Sequence, residues 1–313
     1  MRFDPRRLLG LLLWVLPQPF GCAAQRLLAE TDVRPGPGTG SLEITWLGTA
    51  GVLLSDGETS FFIDPFVSRP GLLEVALGFP LEPSVDAIGA LVDRLRPPHV
   101  GAVLVSHSHY DHAMDAPFFA WRTGAPLVGS PSTINVGRGA GLPEERLRQV
   151  RPGDELTVGR FRIRFLESRH GPALLGRIPY PGEIEAPLRP PAAASSYRVG
   201  DTFSILVEHG STRLLHHGSA GFWPPALAGV RAGTVLLGLA GRRDTASYLR
   251  EVPAAVGAGR VIPIHFDDFF EPLDQPLRFL PGVAFREFLK TARRTAPGLR
   301  ITTLPVGQTV ALE

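Results

Sequence analysis

Apolar residues alternate with polar ones at Leu42, Ile44 and Trp46, the mark of a strand with one face buried. Two short apolar runs, 52–54 and 61–63, flank Asp56-Gly57, a dipeptide suited to the tight turn of a hairpin. Over 84–96 the period changes to that of a helix. Ser84 can accept from the free N–H groups of the first turn, and Val85, Ile88, Leu91, Val92 and Leu95 share one face. Pro97-Pro98 then ends the pattern. A short buried strand is expected at 102–105. Phe161, Ile163 and Phe165 alternate again, and 214–215, 235–237 and 261–264 are further apolar runs of strand length. Helical spacing returns over 244–252 and 283–294, the second with Phe285, Phe288, Leu289 and Ala292 on one side. Strands and helices interleave through the whole chain, which predicts one layered α/β domain over 42–313.

What precedes that domain reads differently. Arg2, Arg6 and Arg7 are followed by nine mostly apolar residues at 8–16, and small residues come at Gly21, Ala23 and Ala24. Nine residues make the apolar region of an export signal and are too few to span a bilayer. Residues 1–24 are therefore expected to direct export, to the periplasm or the cell envelope. Cys22, the single cysteine, stands where a lipoprotein would be acylated, although only Gly21 of the three residues before it suits that processing. A Pro/Gly-rich linker is expected over 25–41, since RPGPGTGS at 34–41 cannot hold regular structure.

Composition narrows the function classes. At 313 residues and 44% hydrophobic, the chain can bury a sizeable core. One cysteine excludes a disulfide framework or a multi-cysteine metal site. The net charge of +2 belongs to the N-terminus, because three basic residues and one acidic residue lie in the first 21 positions and the remainder is balanced. No Arg/Lys cluster in the sequence marks a nucleic-acid groove, so a nucleic-acid partner is not expected.

The histidines carry the chemistry. Directly after the expected strand at 102–105 comes Ser106-His107-Ser108-His109-Tyr110-Asp111-His112, four potential metal ligands within six residues. Imidazole nitrogen and carboxylate oxygen are both zinc ligands, and the spacing suits two adjacent ions better than one. His170 follows the Phe161–Phe165 alternation, and His265 directly follows the run at 261–264. Either alone would read as a core or surface histidine, as His99 and His209 do. Together they lie at strand ends that converge if the strands share a sheet edge.

HxHxDH after a buried strand, followed by two later histidines, resembles the metallo-β-lactamase superfamily. The wording TWLGTAGVLL (45–54), FFIDPF (61–66), SHSHYDH and VIPIHFDDF is similar to its ascorbate-6-phosphate lactonase and N-acyl-phosphatidylethanolamine phospholipase D-like branch. The resemblance implies an αββα sandwich with metals at one edge of two packed sheets. It implies one site of His107, His109 and His170, a second of Asp111, His112 and His265, and Asp64 as a group orienting the ligands. Most members bridge the two metals with an Asp after a Gly. Here the pair is Gly218-Ser219, a pattern that resembles the third subclass of metallo-β-lactamases. One or two ions are therefore open, zinc first, with manganese or iron(II) as alternatives.

The implied chemistry is hydrolysis by metal-activated water, with Asp111 also able to hold or relay a proton. Tyr110 and Phe269 are candidate pocket residues, and Ser219 is a candidate partner for a bound water. Two Pro/Gly-broken loops, 67–82 and 171–196, should flank the site. Their apolar content fits a small-molecule or lipid-like ester, lactone or phosphodiester as well as simple packing. An exported β-lactam hydrolase and a non-catalytic metal-binding protein are the other readings.

Overall fold

In the computed structural model, Phe61 and Phe62 are adjacent in the chain and both fully buried. Successive side chains of a strand point to opposite faces, so a strand buried on both sides needs cover on both. Phe61 meets Phe161 edge to face at 5.0 Å between ring centroids, whereas Phe62 meets Phe119 at 5.0 Å. The first contact belongs to a core between two sheets and the second to a core between sheet and helices.

The structure describes residues 42–173 and 176–312, together with Leu28 and Thr31. Cys22, the expected export signal and most of 25–41 lie outside the described residues. One sheet contains β1 (Leu42–Gly48), β2 (Gly51–Ser55), β3 (Thr59–Ile63), β5 (His99–Leu104), β6 (Leu127–Gly129), β7 (Leu147–Gln149) and β16 (Thr309–Leu312). Its order is β16-β1-β2-β3-β5-β6-β7. The other contains β8 (Glu155–Val158), β9 (Phe161–Glu167), β11 (Phe203–His209), β12 (Thr212–His217), β13 (Thr234–Gly238), β14 (Arg260–Ile264) and β15 (Arg300–Ile301), in the order β15-β14-β13-β12-β11-β9-β8. A two-stranded ribbon joins β4 (Pro80–Leu81) to β10 (Ala192–Ala193).

Helices Val85–Leu95 and Ala116–Thr123 cover the first sheet, and Phe285–Thr295 covers the second. The result is the expected αββα sandwich. The helix Val85–Leu95 has the expected ends: Ser84 Oγ accepts from Ala87 N at 3.4 Å, and Arg96 closes it in the left-handed region. The expected helix at 244–252 starts at Thr245 under an Asp244 cap. It widens into a π-turn over Arg250–Ala254, where Pro253 lacks the N–H that an α-helix needs.

One expectation of irregular chain needs correction. The segment 67–82 contains a helix, Leu72–Leu77, which buries none of its residues and so left no periodic signature. It and the 171–196 segment are joined by the β4–β10 ribbon, so the two segments brace each other. Upstream, Thr31 is buried and its hydroxyl lies 3.1 Å from that of Thr303, which ties part of 25–41 to the domain.

Candidate metal centre

The site residues follow from strand direction. β3 and β5 are parallel, so Asp64 and Ser106 leave them at the same edge, and Asp64 N donates to Leu104 O at 2.9 Å. β12, β13 and β14 are also parallel, so Ser219 and His265 follow strand ends at one edge of the second sheet. His265 N donates to Thr49 O at 2.7 Å, closing the gap between the sheets. Asp64, His265 and Thr49 all have left-handed backbone, with φ of 48°, 53° and 49°. Each such residue costs about 1–3 kcal/mol, which only a surrounding structure that over-determines it can sustain.

Two groups of ligand-type atoms result. His107, His109 and His170 form one; Asp111, His112 and His265 form the other, with the atoms of each group within 4.8 Å of one another. The groups adjoin, since the His107 and His112 rings are 3.8 Å apart between centroids. In the first, His109 Nδ1 lies 3.2 Å from both His107 Nε2 and His170 Nε2. In the second, His265 Nε2 lies 3.3 Å from His112 Nε2 and 3.2 Å from Asp111 Oδ2.

The outer nitrogens assign the tautomers. His109 Nε2 faces Pro179 O at 2.9 Å, and His170 Nδ1 faces Gly171 O at 2.6 Å. A carbonyl only accepts, so both outer nitrogens carry hydrogen and both inner nitrogens present lone pairs to each other. His112 Nδ1 lies 2.8 Å from Asp64 Oδ2, which leaves its Nε2 as a lone pair toward His265. Facing lone pairs repel unless a cation lies among them. Nitrogens at about 2.0–2.1 Å from a tetrahedral ion would stand roughly 3.3–3.4 Å apart, close to the separations here. The donor set therefore fits borderline divalent metals such as zinc.

For the first group, electrostatics agree with that assignment. Burial, followed by the charges of His112, His170 and His109, holds His107 well below the ordinary imidazole range. Burial takes His109 down to about 4 and His170 to about 3. These three are neutral at pH 7, as metal ligation requires. Burial also pulls on His112, but Asp64 and Asp111 outweigh it and raise its pKa. Burial would raise Asp111, but His112 and His265 beside it hold the carboxyl below its usual value.

Asp64 accepts from Ser106 N at 2.6 Å and from Ser106 Oγ at 2.5 Å while it holds His112. Ser219 Oγ accepts from Gly171 N at 3.0 Å. It thus holds the turn whose carbonyl fixes the His170 ring. Tyr110 and Phe269 stand together, with rings 6.4 Å apart, and Phe269 lies 5.3 Å from His265. His209 pairs with Asp56 at 3.1 Å, and His99 is exposed.

Several supporting residues gave no earlier signal. Asp267 Oδ1 accepts from Thr49 N at 2.8 Å, and its Oδ2 pairs with Arg69 at 2.5 Å. Arg69 also donates to Asp268 O and Glu271 O, so it ties the chain after β3 to the chain after His265. Asp267 stands two residues beyond His265 in a segment already singled out, whereas nothing in the sequence marks Arg69. Asp115, fully buried, accepts from Val67 N, Ser68 N and Ser68 Oγ and anchors the same loop. His216 and His217 are buried too, but they face Ala50 O at 2.8 Å and Ser204 Oγ at 2.7 Å and stand outside both ligand groups.

Comparison with known proteins follows the same lines. A family model described as a β-lactamase superfamily domain matches residues 61–266. A UPF0173 metal-dependent hydrolase of Pyrobaculum islandicum is 33% identical over 119 residues, covering 38% of this chain and 45% of the relative, so the match spans less than half of that protein. Among solved structures, a metallo hydrolase from Ignicoccus hospitalis shares the fold with a TM-score of 0.54 at 16% identity, covering 87% of this chain and 98% of that one. The diiron β-hydroxylase CmlA from Streptomyces venezuelae does so with a TM-score of 0.54 at 14% identity, covering 88% and 55%.

Proposed function

Because this chain belongs to the metallo-β-lactamase superfamily, we propose that it is a metal-dependent hydrolase acting on an ester, lactone or phosphodiester bond. The observation that carries the reading is the facing lone pairs of His109 and His170, which neither ring can turn away without losing a bond to a backbone carbonyl. Two divalent ions, zinc first, would polarise a substrate oxygen and lower the pKa of a water there. The chain's own residues supply the rest. His107, His109 and His170 would hold one ion, and Asp111, His112 and His265 the other. Asp64 fixes the tautomer and ring plane of His112, the hold that ordinarily keeps a ligand in place. Asp111, ionised between His112 and His265, is the carboxylate placed to accept a proton from the attacking water.

Substrate preference rests on the walls. Tyr110 and Phe269 make one side apolar, and the exposed Leu72, Leu73, Leu77 and Phe79 lie in the 67–82 segment that Arg69 ties to the His265 loop. That favours a small molecule with an apolar or acyl portion, including a lipid-like one. The N-terminal pattern supports export, with Cys22 as the lipid attachment point. CmlA, with the same fold, is a diiron enzyme, so iron belongs in the metal test.

The test is metal content of the purified protein by mass spectrometry, then turnover of p-nitrophenyl esters, lactones and bis-p-nitrophenyl phosphate with added zinc, manganese or iron(II). Bound metal near two ions per chain and turnover lost in His109→Ala are expected. Absence of bound metal, with no turnover rescued by any of the three, would refute the reading. Nitrocefin as sole substrate would turn it to a β-lactamase.

A further inference from the structure

The edge of the second sheet opposite the metal ligands carries a different chemistry. Thr212, Thr234, Arg260 and Arg300 are the first residues of four neighbouring parallel strands, β12 to β15. They line a cavity of about 480 Å³ together with Arg213 and Arg231. No carboxylate is among its described lining residues. Arg260 and Arg300 are partners in the parallel β14–β15 register. Arg260 forms the buried floor, its Nε donating to Thr234 Oγ1 at 3.0 Å. Arg213 pairs with Glu208 at 2.8 Å. Arg231 and Arg300 are exposed at the rim, and neither makes an ion pair with the described residues; Arg231 donates to its neighbour Val230 O.

We propose that this cavity is a binding site for a phosphate-bearing anion, separate from the hydrolytic centre. Guanidinium forks match phosphate oxygens in pairs, and Ser211 and Thr212, which also line the cavity, carry hydroxyl groups. The volume lies within the range of small-ligand sites and exceeds what one phosphate fills, which suits a diphosphate or a phosphate on an organic group. β14 is five residues long, so the site lies roughly 15 Å along the strand from His265. An anion there touches no metal ligand, and the inference does not depend on the hydrolytic reading. The phosphate would come from a soluble compound or from an anionic lipid headgroup.

Two probes separate the sources: inorganic pyrophosphate at constant ionic strength, measured by calorimetry, and vesicles of phosphatidylcholine with or without phosphatidylglycerol, measured by co-sedimentation. The full chain is compared with Arg231→Gln/Arg300→Gln, with Arg231→Lys/Arg300→Lys, and with His107→Ala/His109→Ala. A soluble ligand predicts one pyrophosphate site, weakened at least ten-fold by the Gln pair, largely kept by the Lys pair and unchanged by the His pair. A headgroup predicts retention on phosphatidylglycerol vesicles beyond that on phosphatidylcholine alone, again lost in the Gln pair. The proposal is overturned if wild-type protein prefers neither probe. It is equally overturned if the Gln pair binds as wild type does, or if pyrophosphate binding disappears with the histidines.

Discussion

The ion pair between Arg69 and Asp267 offers the sharpest energetic test, because both side chains are almost wholly buried, at 4% and 3% exposed. Arg69→Met strands the Asp267 carboxylate in the interior, and Asp267→Asn strands the guanidinium. Breaking a buried pair from one side costs about 3–5 kcal/mol, mostly from the charge left behind. Were the two losses independent, the double variant would lose roughly 6–10 kcal/mol, comparable with the whole stability of an ordinary domain at ~5–15 kcal/mol. If stranded charge is the cause, the second substitution removes what the first exposed. The double variant then loses no more than either single one, a coupling of about 3 kcal/mol or more. An amide oxygen at position 267 still accepts from Thr49 N, so the double variant should also keep its grip on His265 and its metal content. The assay is urea denaturation followed by tryptophan fluorescence at a fixed free-metal concentration, since bound metal itself adds stability. Single variants costing under about 1 kcal/mol, or costs that add in the double, would refute the reasoning.

Asp64→Asn should lower affinity for the ion held by His112 by about 10–100-fold, the usual effect of removing a carboxylate behind a ligating histidine; competition with a chromogenic chelator measures it. Ser219→Ala should leave Gly171 N without its acceptor and loosen His170, at a cost of about 1–3 kcal/mol. Ser219→Asp keeps an acceptor and adds a negative charge, so metal affinity should rank Asp above Ser above Ala in the same titration. Gly48→Ala should destabilise by about 1–3 kcal/mol in thermal unfolding. Position 48 has φ of +86°, and a Cβ there would run into the buried Arg69 Nη2.

How much of this was legible in the sequence depends on how local each feature is. The helix Val85–Leu95 declares itself through a cap, one apolar face and two prolines, all within fifteen residues or so of chain. The ligands declare themselves because four sit in one loop and two follow apolar runs. The helix Leu72–Leu77 was illegible because it buries nothing, and burial is what writes a period into a sequence. The hold of Asp267 on Thr49 and of Arg69 on Asp267 spans 218 and 198 residues. No spacing rule reaches that far. Ser219 stands where most members carry the bridging Asp, and the sequence gives no sign that its hydroxyl also accepts from the backbone of a loop 48 residues upstream.

Net charge shows the same limit from the other side. Acidic and basic residues balance beyond the first 21 positions, and the balance conceals their sorting along parallel strands. In β14 one end begins with Arg260 and the other runs directly into His265. Parallel neighbours repeat the direction, so the leading residues of β12 to β15 gather at one edge and their followers at the other. The metal ligands required only that the strands β5, β9 and β14 end near one another, which HxHxDH and two isolated histidines could announce. The arginines are scattered singly over 213–300 and form no run, so a search for basic clusters in the sequence passes over them. Sheet order alone brings Arg260 against Arg300 and places Arg213 and Arg231 beside them. A balanced sequence can therefore still fold into a molecule with an anion-seeking edge opposite a cation-seeking one.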